Sequence, residues 1–186
     1  MYSELSEQEL ARYCCERDKM AENELYIRYA ARVYALCRRY IRNEDEAKDI
    51  MQEALIQALG KIQTFRYTGK GCLFNWLSRI AINKAVDQIR RQKWQLVSWD
   101  FWSHDDIQEP TGEETEGIPQ EKMLEWVDNL PAFQRSVFNL YCIDGYSHKE
   151  ISKMLGISER GSTSILAKAR KHLKEEVYNY LKEQGK

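Results

Sequence analysis

Histidine is scarce in this sequence, limited to His104, His148 and His172, and there is no CxxC pair. Cys and His never fall at the short spacings that zinc sites use, so no metal is expected. The five cysteines, Cys14, Cys15, Cys37, Cys72 and Cys142, are odd in number and mostly isolated, which fits a reducing compartment and buried, reduced thiols. No apolar run comes near the roughly 20 residues of a membrane helix. The opening MYSELSEQEL is acidic where a signal peptide is basic and then apolar, so a cytoplasmic place is expected. One set of residues suggests covalent chemistry, Cys142 and His148 near Asp144, but they flank a turn and match no nucleophile signature. The expectation is therefore a protein with no catalytic residue and no cofactor.

What is present is the balance of a folding chain: 186 residues, 43% hydrophobic and 31% charged. The net charge of -1 hides a segregation along the chain. From Lys61 to Gln95 stand Lys61, Arg66, Lys70, Arg79, Lys84, Arg90, Arg91 and Lys93 against one acid, Asp87. From Asp100 to Glu121 there is no Lys or Arg, while Asp100, Asp105, Asp106, Glu109, Glu113, Glu114, Glu116 and Glu121 accumulate. A second basic cluster, Arg160, Lys168, Arg170, Lys171 and Lys174, is opposed only by Glu159. The order is basic, acidic, basic.

Apolar spacings of three and four predict helix nearly everywhere outside the acidic stretch. Ala47, Ile50, Met51, Ala54, Leu55, Ala58, Leu59 and Ile62 trace one stripe, and Ile27, Ala30, Ala31, Tyr34, Cys37 and Ile41 trace another. Ser6 with Glu9 forms a capping box before a short N-terminal helix. A third long helix carries Leu73, Trp76, Leu77, Ile80 and Ala81, then Ile89. Between Val97 and Gln120, Pro110, Pro119, Gly112 and Gly117 interrupt the pattern. Met123, Trp126, Val127 and Leu130 begin a new periodic run, broken by Pro131 and resumed by Phe133, Val137, Phe138 and Tyr141. The reading is all-α: helical domains at 1–95 and 120–186, joined by an acidic flexible linker at 96–119.

Ser147 to Lys174 reads as a helix-turn-helix. Ser147 and Glu150 cap the first helix, Gly156 supplies the turn and Ser158 caps the second. That second helix offers Arg160, Ser162, Thr163, Ser164 and Lys168 to a major groove. A plain helical hairpin with a solvated basic face gives the same pattern. The stretch FRYTGKGCLFNWLSRIAINKAVDQIRR puts a basic, Gly-containing loop before a helix rich in rings and arginines. Rings stack on exposed bases while cations follow phosphates, so Phe65, Tyr67, Phe74 and Trp76 suit a base that has left the duplex. The alternative is that some of these rings are core, as expected for Leu77 and Ile80.

DEAKDIMQEALIQALGKIQTFRY, FNWLSRIAINKAVDQIRR and LPAFQRSVFNLYCIDGYSHKEISKMLGIS, in that order with an acidic spacer, resemble the extracytoplasmic-function sigma factors of bacteria over nearly the whole chain. The resemblance implies that 1–95 is sigma region 2 and 120–186 is region 4. It also implies partners: core RNA polymerase, through the clamp coiled coil of its largest subunit and the flap of its second-largest, promoter DNA, and in many members an anti-sigma factor. Asp49, Gln52 and Glu53 match the D-x-x-Q-E pattern that grips the clamp, although unaided they read as a solvated face. Phe65, Arg66, Tyr67, Lys70, Trp76, Arg79, Asn83, Arg90 and Arg91 match the parts that melt and read the minus-ten element. Asn83 follows Arg-Ile-Ala-Ile on an otherwise good helix, where an amide has no propensity advantage but can pair with a base edge.

Arg160, Ser162, Thr163, Ser164, Lys168, Arg170 and Lys171 are the minus-thirty-five candidates, the last two for phosphates. Where the family usually has G-T-V-K-S-R-L, this chain has Arg160, Gly161, Ser162, Thr163, Ser164, Ile165 and Leu166, so base readout does not transfer. The acidic linker has its family counterpart in a strand that runs near the polymerase active site. The competing function is a stand-alone helix-turn-helix regulator that binds duplex DNA as a dimer.

Overall fold

The computed structural model describes residues 2–96 and 118–184, with the backbone alone for 92–96. Among the described residues are eight α-helices and no strand, the all-α class that the apolar spacings predict. Residues 97–117, most of the expected linker, lie outside the described residues, as does His104. The chain divides into two compact units, Met1–Gln88 and Ile89–Lys186.

The first unit opens with a 3-10 turn, Tyr2–Glu4, and α1, Glu7–Cys15. The Ser6–Glu9 capping box is formed, with the Glu9 amide donating to Ser6 Oγ at 3.3 Å and the Ser6 amide to Glu9 Oε2 at 3.0 Å. Asp18 caps α2, Lys19–Tyr40, through the amides of Met20 and Ala21. Asn43 caps α3, Glu44–Lys61, whose first turn of Glu44, Asp45 and Glu46 suits the positive end of the helix dipole. A 3-10 turn, Ile62–Thr64, leads through a loop to α4, Cys72–Leu96. The boundary between the units falls inside α4.

Helix α3 buries the stripe expected of it, Ala47, Ile50, Met51, Ala54, Leu55 and Ala58. Helix α2 does not. Its buried residues are Ala21, Leu25, Tyr29, Val33, Leu36, Cys37 and Tyr40, while Ile27 is 66% exposed and Ala31 is exposed. Two apolar series run along this helix, and the one ending in rings and branched chains won the core because it removes more apolar area from water. In α4 the core of this unit takes Leu73, Leu77, Ala81, Ile82, Ala85 and Val86, so Ile82 displaces Ile80, which is half-buried, while Ile89 is buried in the second unit.

The second unit contains α5, Gln120–Asn129, α6, Ala132–Phe138, a π-helical turn over Asn139–Ile143, α7, His148–Leu155, and α8, Glu159–Glu183. Helix α6 is unusual in burying polar side chains, Gln134, Arg135 and Ser136. Each has a partner: His172 at 2.8 Å for Gln134, the Asp128 carbonyl at 2.7 Å for Arg135, and the Ala132 carbonyl at 2.6 Å for Ser136. Trp126 is buried edge-on against Tyr180, ring centroids 5.6 Å apart. The expected helix-turn-helix is α7 and α8, with Gly156 at φ +64° ending α7 in the left-handed region that glycine tolerates best.

The reassignment of α2 carries a direct test. Leu25→Ala is expected to cost about 2 to 5 kcal/mol by urea unfolding, and Ile27→Ala to stay within about 0.5 kcal/mol. The reverse order of costs would return Ile27 to the core.

Candidate nucleic-acid interface

Three surfaces collect the residues that the sequence singles out. On α3, Asp49, Gln52 and Glu53 are all exposed, on the side away from the buried stripe. Glu53 Oε2 pairs with Lys84 Nζ of α4 at 2.7 Å, a partly exposed bridge between the two helices. The same face holds Ile56, 71% exposed and seven residues on from Asp49. Its signal in the sequence is slight, an isoleucine lying outside the apolar stripe, one turn on from Gln52 and Glu53.

The second surface is the outer side of α4. Trp76, Arg79 and Asn83 follow at spacings of three and four, so they share one face, opposite Leu77, Ala81 and Ala85, while Arg90 and Arg91, later in α4, belong to the second unit. Arg79 and Asn83 are exposed, Trp76 and Arg90 are half-buried, and Arg91 is exposed. In the loop before α4, Arg66 and Lys70 are exposed and Tyr67 is 44% exposed. Arg66 folds back to donate to the carbonyls of Gln63 at 2.9 Å and Phe65 at 3.0 Å.

Phe65 corrects an expectation. Its side chain is buried in the core, and its ring leans on Trp76 with centroids 5.6 Å apart, so it supports the tryptophan instead of offering a free face. Phe74 is likewise taken up, stacked on Tyr29 at 6.3 Å with the Arg32 guanidinium 3.7 Å above its centroid.

This loop and the start of α4 are fixed by a residue that no motif flagged. Glu7 of α1 accepts from the amides of Gly71 at 2.9 Å and Leu73 at 3.3 Å through Oε2, and from the Tyr29 hydroxyl at 3.0 Å through Oε1. Burial, then the hydrogen bond to Glu7, push the Tyr29 phenol up to about 12.

The third surface is the first half of α8. Arg160, Thr163 and Lys171 are exposed on the side away from the buried Gly161, Leu166 and Ala169, with Ser164, Lys168 and Arg170 half-buried. Ser162 is the exception. It is fully buried, and its hydroxyl lies 2.9 Å from Nδ1 of His148, the first residue of α7. The expectation that Ser162 faces DNA is corrected: a polar residue in a polar run reads as surface, yet its place in the turn of the helix points it at α7. The His148 ring also stacks on Tyr141, centroids 4.5 Å apart, which accounts for a histidine that the sequence offered only as a partner for Cys142.

The cysteines are free. Burial pushes the Cys14 and Cys37 thiols up to about 12, while Cys142 is exposed and Cys15 and Cys72 are half-buried, so only two of the five meet the expectation of full burial. Among the described residues, no three His, Cys, Asp or Glu are grouped to hold a metal ion, and no helix is long and apolar enough to cross a membrane.

The His148 clasp has a pH signature. Burial first, and Arg170 second, hold the imidazole below its usual range, against the opposing pull of Glu159. A depressed histidine contributes stability that is present above its unfolded value near 6.5 and lost as pH falls through the lower folded value. The difference in melting temperature between the protein and His148→Gln is therefore expected to narrow steadily from pH 7.5 to pH 5. A constant difference would mean that protonation of His148 does not load the clasp.

Comparison with known proteins completes the identification. The Sigma-70 region 2 pattern matches residues 25–95 and the Sigma-70, region 4 pattern matches 120–173, together well over half of the chain. The chain is 26% identical to the ECF RNA polymerase sigma-E factor of Haemophilus influenzae, over 95% of this chain and 98% of that protein. It is 28% identical to the ECF RNA polymerase sigma factor SigM of Mycobacterium tuberculosis, over 91% of this chain and 84% of that one. Among solved structures it is similar to the sigma factor RpoE in complex with the anti-sigma factor NepR from Bartonella quintana. That match has a TM-score of 0.49 and 20% identity, over 84% of this chain and 96% of that chain. With both regions matched in order, this chain belongs to the sigma-70 family as a sigma factor of the extracytoplasmic-function type.

Proposed function

We propose that this sigma factor divides its work among the three surfaces just described. It binds core RNA polymerase and directs promoter recognition and DNA melting. Nucleotide chemistry is left to the polymerase, since sigma factors are initiation factors and not enzymes, and the protein acts in the cytoplasm where polymerase is. Residues 1–95 serve as region 2, 96–119 as the acidic connection and 120–186 as region 4.

On α3, Asp49, Gln52 and Glu53 meet the clamp coiled coil, and Ile56 adds an apolar anchor one turn further along that face. A large exposed apolar side chain beside polar ones suits a protein contact better than a nucleic acid. On α4 and its loop, Arg66, Tyr67, Lys70, Trp76, Arg79, Asn83, Arg90 and Arg91 meet the minus-ten element, with Phe65 holding Trp76 from behind. On α8, Arg160, Thr163, Ser164 and Lys168 face the minus-thirty-five element, and Arg170 and Lys171 take phosphates. An anti-sigma factor that covers the first or second surface silences the protein.

The observation that carries the minus-ten assignment is the core-opposed line of half-buried Trp76 and exposed Arg79 and Asn83 on one helix. Energetics then require a partner. Each base-pair step opened costs about 1.4 kcal/mol, so a bubble of about ten pairs costs on the order of 14 kcal/mol, beyond what a few stacked bases return. Polymerase holds both DNA-facing domains at the promoter spacing, and the tethered contacts then act at high effective concentration.

The test is transcription in vitro with bacterial core polymerase and a library of promoter DNA, with start sites mapped. Promoter-dependent starts are expected only when the protein is added. Asp49→Ala and Ile56→Ala should each weaken core binding by about tenfold, or ~1.4 kcal/mol. Asn83→Ala should leave core binding intact and cost about 1 to 3 kcal/mol of minus-ten discrimination. Tight duplex binding by the protein alone, with no starts, would favour the stand-alone regulator instead.

A further inference from the structure

Residues 2–24 lie before the region 2 match, yet they are tied to the loop that precedes α4. Gly71 stands just before α4, and its carbonyl accepts from the Asn75 amide at 3.1 Å as a helix cap does, but it has no side chain with which to satisfy the first amides. Its φ of +88° also lies where a side chain is strained, so a capping residue cannot simply replace it. The missing acceptor comes from Glu7, more than sixty positions away, at 2.9 Å from the Gly71 amide and 3.3 Å from the Leu73 amide.

Glu7 is itself held. The Tyr29 hydroxyl donates to it at 3.0 Å, from a tyrosine only 2% exposed. The segment before α1 is pinned by Arg28, which donates to the carbonyls of Leu5 at 2.8 Å, Tyr2 at 3.2 Å and Ser3 at 3.2 Å and pairs with Glu24 at 2.9 Å. A carboxylate so fixed sets both the last residue of the loop and the first turn of α4.

We propose that Glu7 is a positioning residue for promoter opening, an external cap from α1 that fixes the loop 66–71 and the start of α4 in the shape that captures the melted minus-ten strand. The proposal rests on the minus-ten reading of that loop and helix. It makes the N-terminal helix part of the melting apparatus, though Glu7 touches no DNA. The Asp49 face lies on α3, whose helix Glu7 does not cap, so polymerase binding and promoter opening separate.

The experiment uses full-length holoenzyme on a promoter recovered from the transcription screen, with a fluorescent adenine analogue in the minus-ten element to report opening and a separate titration of core affinity. Glu7→Ala is expected to slow opening by about tenfold or more, in keeping with the loss of hydrogen bonds to a charged acceptor, while core affinity stays within about twofold. Glu7→Gln, which keeps the volume and one acceptor oxygen, should fall between, and Glu7→Asp should recover part of the rate. Tyr29→Phe, which frees the carboxylate from one side only, should slow opening slightly and spare core affinity. If Glu7→Ala does not fold, Glu7→Gln and Tyr29→Phe carry the same comparison. Opening within twofold of the unaltered protein in every Glu7 variant overturns the proposal, as does an equal loss of core affinity and opening. Asn83→Ala separates the two levels: if it leaves opening intact, the minus-ten reading falls and the proposal with it; if it blocks opening while the Glu7 variants do not, only the positioning role falls.

Discussion

A helix that begins after a glycine has no side chain of its own to satisfy its first amides, and α4 begins this way. In the first unit α1 and α2 meet that deficit together. Its remedy is a carboxylate from α1, and Arg28 on α2 keeps the segment before α1 in place. The buried face of α2 supplies Tyr29, which touches both the carboxylate and the Phe74 ring. Loop flexibility before α4 is thus limited from one end, while the exposed cations and Tyr67 remain on the outside.

The second unit meets a different constraint. Apart from α8 its helices are short, and a small domain has little apolar area with which to form a core. Polar side chains complete the interior, each with a partner: Gln134 with His172, Arg135 with the Asp128 carbonyl, Ser162 with His148. Directional pairs of this kind fix one arrangement of α7 against α8 and of α6 against α8, where oily contacts alone tolerate sliding. The same pairs leave a histidine at the junction, and so a dependence on proton concentration.

Much of this was legible beforehand, and the failures share one cause. Capping residues read well because their signal is local: Ser6 with Glu9, Ser147 with Glu150, Ser158 and Gly156 all stand where expected. The α3 stripe read well because its apolar residues form a single series. Helix α2 offers two, and periodicity cannot choose between Ile27 and Leu25 without knowing the partner helices. Phe65, Ser162 and Glu7 were misplaced or overlooked because each answers to a residue remote in sequence or on a neighbouring helix. Trp76 turned Phe65 inward, His148 claimed Ser162, and the Gly71 amide recruited Glu7. The acidic linker remains legible only as charge, since 97–117 lie outside the described residues.

The pair between Glu53 and Lys84 has a consequence for how variants of this protein are to be interpreted. One carboxylate belongs at once to the face of α3 and, through its partner, to α4. Removing it strips an acid from the first surface and leaves an uncompensated cation on the second helix, where added positive charge attracts phosphates. On the roles proposed for α3 and α4, the two effects oppose each other in an assay that requires polymerase and DNA together, and a mild phenotype at Glu53 is then the sum of two changes of opposite sign. Asp49 and Gln52 carry no such link to α4 among the described contacts, which makes them the cleaner reporters of that face.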